Sequence, residues 1–284
     1  MARWTKLGLV AGGGALPIRV VQSCIDCGAP YFIIRLAGMA DEELEAFDGE
    51  VCSIGEAGKI IRHLKENECD AVAMCGLVAR PDFSALSLDW RGAAIMPRIV
   101  AAAGKGDGAI LSVLVDTFEA EGFTVVGAEE VMERLAVEEG PISQVSPTED
   151  DWQDIKKAAS VIESLGPFDV GQGAIVVRGQ VIAIEAAEGT DSMLERCADL
   201  RGSLDGLAAG GVLVKRPKPG QELRVDLPTI GIRTIVKAAE AGLSGVAVEA
   251  GAALLVDAGD AIKEANARGI FLYGFTKDDL ARQG

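Results

Sequence analysis

Two stretches of this 284-residue chain place charged and hydroxyl side chains densely enough to do chemistry. From Lys215 to Thr229 the chain reads KRPKPGQELRVDLPT, and four of the ten residues from Lys215 to Arg224 are cations in a protein of formal net charge −16. Prolines and a glycine stiffen that run, so it either fixes Lys215 and Lys218 in place or forms a solvated basic loop. Fixed in place, the two lysines would neutralise a phosphate or diphosphate. Asp226 follows directly. A carboxylate among cations suits a metal ligand or a water-orienting base better than a proton donor. Its other role is to complement the dipole of a helix expected from Thr229 to Ala241.

The second stretch is Glu185-Ala186-Ala187-Glu188-Gly189-Thr190-Asp191. If its start is extended, Glu185 and Ala186 face opposite sides, so the three acids cannot share one strand face. A turn at Gly189 would gather Glu188, Thr190 and Asp191. Oxygen donors of this kind suit magnesium, which keeps several waters and takes one or two carboxylates. Asp191 and Asp226 are therefore the expected metal ligands. Capping of the next helix by Thr190 or Asp191 explains the same residues without a ligand.

Gly12-Gly13-Gly14 ends an apolar run and precedes Ile18, Val21 and Ile25 at helical spacing, the strand, glycine turn and helix order at which doubly wound sheets bind phosphates. A tight turn with no ligand is the other reading. A nicotinamide site would also want an acid at the end of the second strand, where Arg35-Leu36-Ala37-Gly38 stands, and Pro17 replaces the third glycine of that fingerprint. Other machinery is missing. The one histidine, His63, sits in a helical segment and reads as solvent-facing, so a polyhistidine metal centre is excluded, and there is no Gly-x-Ser-x-Gly elbow or Walker A motif. Any hydrolysis must rest on carboxylates, a metal and Lys or Arg. Six cysteines include a single Cys-x-x-Cys, Cys24 to Cys27, which suits reduced core thiols better than a zinc or redox centre.

The elements that would carry these residues follow from hydrophobic periodicity. Apolar runs at 6–11, Tyr31–Leu36, Val51–Ile54, Ala71–Leu77 and Phe123–Val126 read as strands, and helices at 57–64, Ala93–Ala103 and Ala109–Ala120 lie between them. That alternation predicts a Rossmann-like parallel sheet over residues 1–138. Residues 139–150, with Gly140-Pro141 and Ser146-Pro147, have the composition of a connector, and Thr148 with Asp151 forms a candidate capping box. Residues 151–284 predict a mixed α/β domain with a hairpin of Ala174–Val177 and Val181–Ala186 about Arg178-Gly179, a helix at Ser192–Leu200 and short strands at 212–215, 245–249, 253–256 and 270–274. The charge repels nucleic acid and anionic lipid. No window approaches the ~20 continuous apolar residues of a membrane span, and no signal peptide is read, so a cytoplasmic protein is expected.

The ordered set of Leu9-Val10-Ala11-Gly12-Gly13-Gly14-Ala15-Leu16-Pro17, Gly104-Lys105-Gly106-Asp107, Glu188-Gly189-Thr190-Asp191 and Lys215 through Pro228 resembles the histidine-poor UDP-2,3-diacylglucosamine pyrophosphatases of alpha-proteobacteria and other Gram-negative bacteria, over essentially the whole chain. The resemblance implies magnesium-assisted hydrolysis to UMP and 2,3-diacylglucosamine 1-phosphate on the route to lipid A, in a cleft between a Rossmann-like N-terminal domain and a distinct C-terminal one. It implies a functional aspartate at Asp226, with Lys215 and Asp191 beside it in catalysis. The expected substrate-binding set is Gly12, Gly13, Gly14, Gly76, Asp107, Gln172, Glu188, Gly189, Thr190, Lys218 and Thr229. A lipid-linked nucleotide sugar is the expected partner, with transient contact at the inner membrane and a homodimer as further expectations. A nicotinamide-dependent nucleotide-sugar oxidoreductase and a non-catalytic binding protein are the alternatives.

Overall fold

The computed structural model describes residues 4–79, 81–132, 135–203 and 209–282. The chain forms two compact units, one of Met1–Glu133 with Glu222–Asp226 and one of Arg134–Gln221 with Leu227–Gly284. No helix among the described residues is long and apolar enough to cross a membrane.

The first unit runs β1 (Leu7–Ala11), α1 (Ala15–Cys27), β2 (Tyr31–Leu36), β3 (Gly49–Cys52), α2 (Ala57–Glu66), β4 (Ala71–Cys75), α3 (Trp90–Ala103), α4 (Asp107–Ala120), β5 (Thr124–Val125) and α5 (Ala128–Val131). Its strands pair in the order β3-β2-β1-β4-β5 and every pairing is parallel, the Rossmann-like sheet expected from the alternation. β1 is buried along its whole length, as a strand with helices on both faces must be. Ile34, Ile61, Leu64, Val72 and Phe118 form one side of the core. α3 starts at Trp90, three residues earlier than its periodicity suggests, because the Asp89 carboxylate caps it by accepting the Gly92 N–H at 2.7 Å. It is apolar nearly all round: Ile95, Met96 and Ile99 line a cavity, while Trp90 and Val100 on other sides are 74% and 53% exposed.

The second unit runs β6 (Gly140–Pro141), α6 (Glu149–Leu165), β7 (Gly173–Val177), β8 (Gln180–Ile184), α7 (Gly189–Ser203), β9 (Val212–Lys215), β10 (Thr229–Ile230), α8 (Ile232–Glu240), β11 (Gly245–Glu249), β12 (Leu254–Leu255), α9 (Ala258–Arg268), β13 (Phe271–Phe275) and α10 (Lys277–Arg282). Six strands form a sheet in the order β6-β13-β11-β9-β7-β8, in which β9, β11 and β13 are parallel and the outer strands antiparallel. The capping box holds: Thr148 accepts from the Asp151 N–H while the Asp151 carboxylate accepts from Thr148. Two helix starts differ from expectation. Thr229 and Ile230 are drawn into a parallel pair with Leu254 and Leu255, so the helix begins only at Ile232. α7 begins at Gly189 rather than Ser192, which puts Thr190 and Asp191 in its first turn.

The hairpin that delivers Glu185 is pinned from α6. Arg178 and Gly179 both have positive φ, 48° and 75°, the geometry of a two-residue type I′ turn. The buried Asp154 carboxylate accepts both their N–H groups, at 2.9 and 2.6 Å. Asp154→Ala strands two amides and is expected to cost about 2–4 kcal/mol. A lowered urea midpoint at unchanged denaturant slope checks this.

All six cysteines are free thiols. Burial pushes both the Cys24 and Cys69 thiols up to about 11, with the neighbouring Cys27 a lesser cause at Cys24, which is the opposite of an activated redox thiolate. The folded chain therefore keeps protons that an unfolded chain, with thiols near 9.0, releases. Their contribution is intact below pH 9 and falls as pH rises toward 11, on the order of 2 kcal/mol for each thiol. Urea unfolding in reductant at pH 8 and pH 10.5 reads the loss, and Cys24→Ala with Cys69→Ala should reduce it, leaving the part due to Cys75, which burial pushes up to about 12.

Candidate functional site

A cavity of about 400 Å³ lies within the first unit, a volume in the range of small-molecule sites. Val10 and Met74 from the sheet, Ile95 and Ile99 from α3, and Leu111 and Leu114 from α4 give it an apolar wall. Among the described residues that line it, the charged ones are Asp107 and Asp226. Asp107 opens α4. Asp226 comes from far along the chain and is held by the turn Glu222–Asp226, whose Val225 and Asp226 N–H groups both donate to the Glu222 carbonyl. Val225 packs on the core of this unit, and Arg224 pairs with Glu119 of α4 at 2.6 Å and with Glu222 at 2.8 Å. The Arg224 guanidinium beside Glu222 holds that carboxyl below its usual range. The one apolar residue between Arg224 and Asp226 was the available sequence signal for this anchoring.

The amides of the glycine turn are engaged within the protein. The Gly12 N–H donates to the Cys75 carbonyl at 2.9 Å, and Gly13 and Leu77 exchange hydrogen bonds of 2.9 and 2.7 Å. The Gly14 N–H donates to the Asp41 carboxylate at 2.7 Å, so a side chain of the protein already supplies an anion at the start of α1. Gly12, Gly13 and Gly14 thus brace the segment after β4, and holding a phosphate through these amides, as expected, would require exchanging these acceptors for it. Gly76 in that segment lines the cavity, and it has φ +99° with a Cβ position only 2.8 Å from the Gly13 carbonyl oxygen, so no larger residue fits.

In the second unit the sheet edge where β9 ends gathers Lys215, Thr190 and Gln172 about Glu185. Lys215 and Glu185 are 5% and 7% exposed and 3.7 Å apart. Lys215 Nζ donates to Thr190 Oγ1 at 2.6 Å, Thr190 Oγ1 donates to Glu185 Oε1 at 2.6 Å, and the Gln172 N–H reaches Glu185 Oε2 at 3.3 Å. Burial of a cation demands such partners. Glu188, Thr190 and Asp191 are not gathered by a turn at Gly189. Glu188 pairs with Arg196 at 2.6 Å, while Asp191 pairs with Arg233 and lies 3.7 Å from Lys237. The basic run is likewise neutralised locally: Arg216 pairs with Glu249 at 2.8 Å and Lys218 with Asp169. Thr229 Oγ1 donates to the Leu227 carbonyl.

Among the described residues no three His, Cys, Asp or Glu side chains converge as a metal cage. Asp107 and Asp226, two carboxylates lining one cavity, fit the sparse donor set that magnesium accepts. Asp191 fits it poorly, because two cations already face its carboxylate.

Comparison with known proteins divides the chain near residue 136, with Glu222–Asp226 inside the C-terminal match. The LpxI N-terminal domain family matches residues 6–135 and the LpxI C-terminal domain family residues 138–273. The UDP-2,3-diacylglucosamine pyrophosphatase LpxI of Caulobacter vibrioides is 48% identical over 271 residues, covering 95% of this chain and 97% of that protein. The solved structure of N5-carboxyaminoimidazole synthase from Aspergillus clavatus, in complex with ADP and 5-aminoimidazole ribonucleotide, matches at 14% identity over 71% of this chain and 44% of that one, with a TM-score of 0.25. That likeness carries no weight beside the first two findings, by which the chain belongs to the LpxI family.

Proposed function

We propose that this chain hydrolyses the pyrophosphate bond of UDP-2,3-diacylglucosamine, releasing UMP and 2,3-diacylglucosamine 1-phosphate. The observation that carries this is the apolar cavity of the first unit with Asp226 and Asp107 in its lining. A substrate with two acyl chains and a pyrophosphate needs apolar volume and carboxylate chemistry side by side. The name of the Caulobacter relative supports the choice of substrate.

Asp226 orients a water toward one phosphorus and accepts its proton as the bond from that phosphorus to the bridging oxygen breaks. Magnesium held by Asp226 and Asp107 would supply charge to the phosphate oxygens. Lys215 offers its ammonium to a phosphate oxygen, and Lys218 would do so on exchanging Asp169 for the ligand. The acyl chains take the apolar wall of α3 and α4. The exposed Trp90 and Val100 of α3 would meet the inner membrane from which an acylated substrate comes, with tryptophan at the headgroup level. A nicotinamide-dependent reading is weakened by the engagement of the glycine-turn amides with Cys75, Leu77 and Asp41.

Asp226→Ala is expected to lower UMP release from UDP-2,3-diacylglucosamine by at least about a hundred-fold while leaving the thermal midpoint in place, and EDTA should lower it in wild type. Metal-independent turnover, or turnover that survives the substitution, would sink the mechanism. Binding without any turnover would favour a non-catalytic carrier. Leu111→Ser is expected to raise KM for the diacylated substrate roughly ten-fold with UDP affinity unchanged. Calorimetry with UDP alongside the kinetics separates the two effects.

A further inference from the structure

One buried acid in the second unit has no part in the chemistry above. Glu185 is 7% exposed, and the backbone is shaped to admit it: a Cβ on Gly173 would stand 2.7 Å from Glu185 Oε2, and one on Gly171 would stand 1.9 Å from the Glu185 carbonyl oxygen. Gly171 has φ +49°, which favours glycine there independently. The Glu185 N–H donates to the Gly173 carbonyl at 2.8 Å, fixing the residue in register as β8 ends.

The directions of the hydrogen bonds are informative. A threonine hydroxyl has a single proton, and Thr190 gives it to Glu185 Oε1 at 2.6 Å while accepting from Lys215 Nζ at 2.6 Å. An ionised phosphate offers only acceptors, so Thr190 cannot hydrogen-bond one while this arrangement stands. Lys215 has three protons, of which Thr190 takes one, and its ammonium lies 3.7 Å from Glu185. The order Glu185, Thr190, Lys215 is thus a line of support ending on the group able to serve an anion.

We propose that Glu185 is a positioning residue that acts through Thr190 to fix the Lys215 ammonium for a phosphate oxygen of the substrate. Thr190 is the relay in this line. The proposal rests on the reading above, in which Lys215 meets a phosphate.

The test is a set of full-length variants, Thr190→Val, Thr190→Ser, Glu185→Gln and Lys215→Met, with the first and third also combined with Lys215→Met. Each is measured for kcat/KM on UDP-2,3-diacylglucosamine and for UDP affinity by calorimetry. Thr190→Val and Glu185→Gln should each lower both quantities on the order of ten-fold, and Thr190→Ser, which keeps the hydroxyl, should stay within about three-fold of wild type. With Lys215→Met already present, adding Thr190→Val or Glu185→Gln should cost less than about two-fold, because the group they position is gone. A ten-fold loss that persists in the Lys215→Met background overturns the proposal, as does a Thr190→Ser loss equal to that of Thr190→Val. Should Thr190→Val fail to unfold cooperatively, Glu185→Gln carries the same comparison. If wild type releases no UMP, the hydrolase reading fails and the UDP affinities decide the positioning; if UDP does not bind wild type, both fail.

Discussion

The ion pair between Arg224 and Glu119, 2.6 Å long, helps hold Asp226 in the lining of the first unit's cavity. Asp226 reaches the cavity because Arg224 is tied to α4 and Val225 beside it packs on the sheet's core. An exposed ion pair by itself contributes little. Here it acts with a packed valine and a turn closed on the Glu222 carbonyl, so three weak restraints bear on five residues. Asp107, by contrast, needs no such help, since it begins a helix whose apolar face is already part of the wall.

In the second unit the same principle appears with buried partners. Lys215 and Arg216 are consecutive, and each finds its own acid, Glu185 for one and Glu249 for the other. Each pairing offsets the desolvation of a buried cation. A stretch that reads as concentrated positive charge is, once folded, largely compensated. A diphosphate would therefore be met by a few oriented donors rather than by a broad positive field.

How far the sequence disclosed this depends on whether a feature is local. The parallel sheet of the first unit and the hairpin at Arg178-Gly179 were legible because burial on both faces and turn chemistry leave direct marks on residue type. The capping box at Thr148 was legible for the same reason. The strand at Thr229–Ile230 was not, because its partner Leu254–Leu255 lies a helix and a strand further on. Asp226 stood out among basic residues, yet nothing local announced that it would join Asp107 in one cavity. The glycine turn stayed ambiguous because its residue types fit two jobs, and its bonds to Cys75, Leu77 and Asp41 could not be read from spacing. Glu185 was visible as an acid, but its burial beneath Gly171 and Gly173 depends on the register of β7 with β8, shifted between Ile175 and Val176, which the turn residues do not reveal.

The return of Glu222–Asp226 to the first unit bears on how this protein can be divided or rearranged. By sequence, the two family segments abut near residue 136 and look like modules that could be exchanged, expressed separately or fused in a new order. By packing they are not, because one of the two carboxylates that line the first unit's cavity, Asp226, is encoded in the second segment. A fragment ending at the segment boundary would keep the sheet and lose both Val225 from its core and Asp226 from its cavity. Parting the chain at that boundary would therefore leave the first unit's cavity without one of its two charged lining residues.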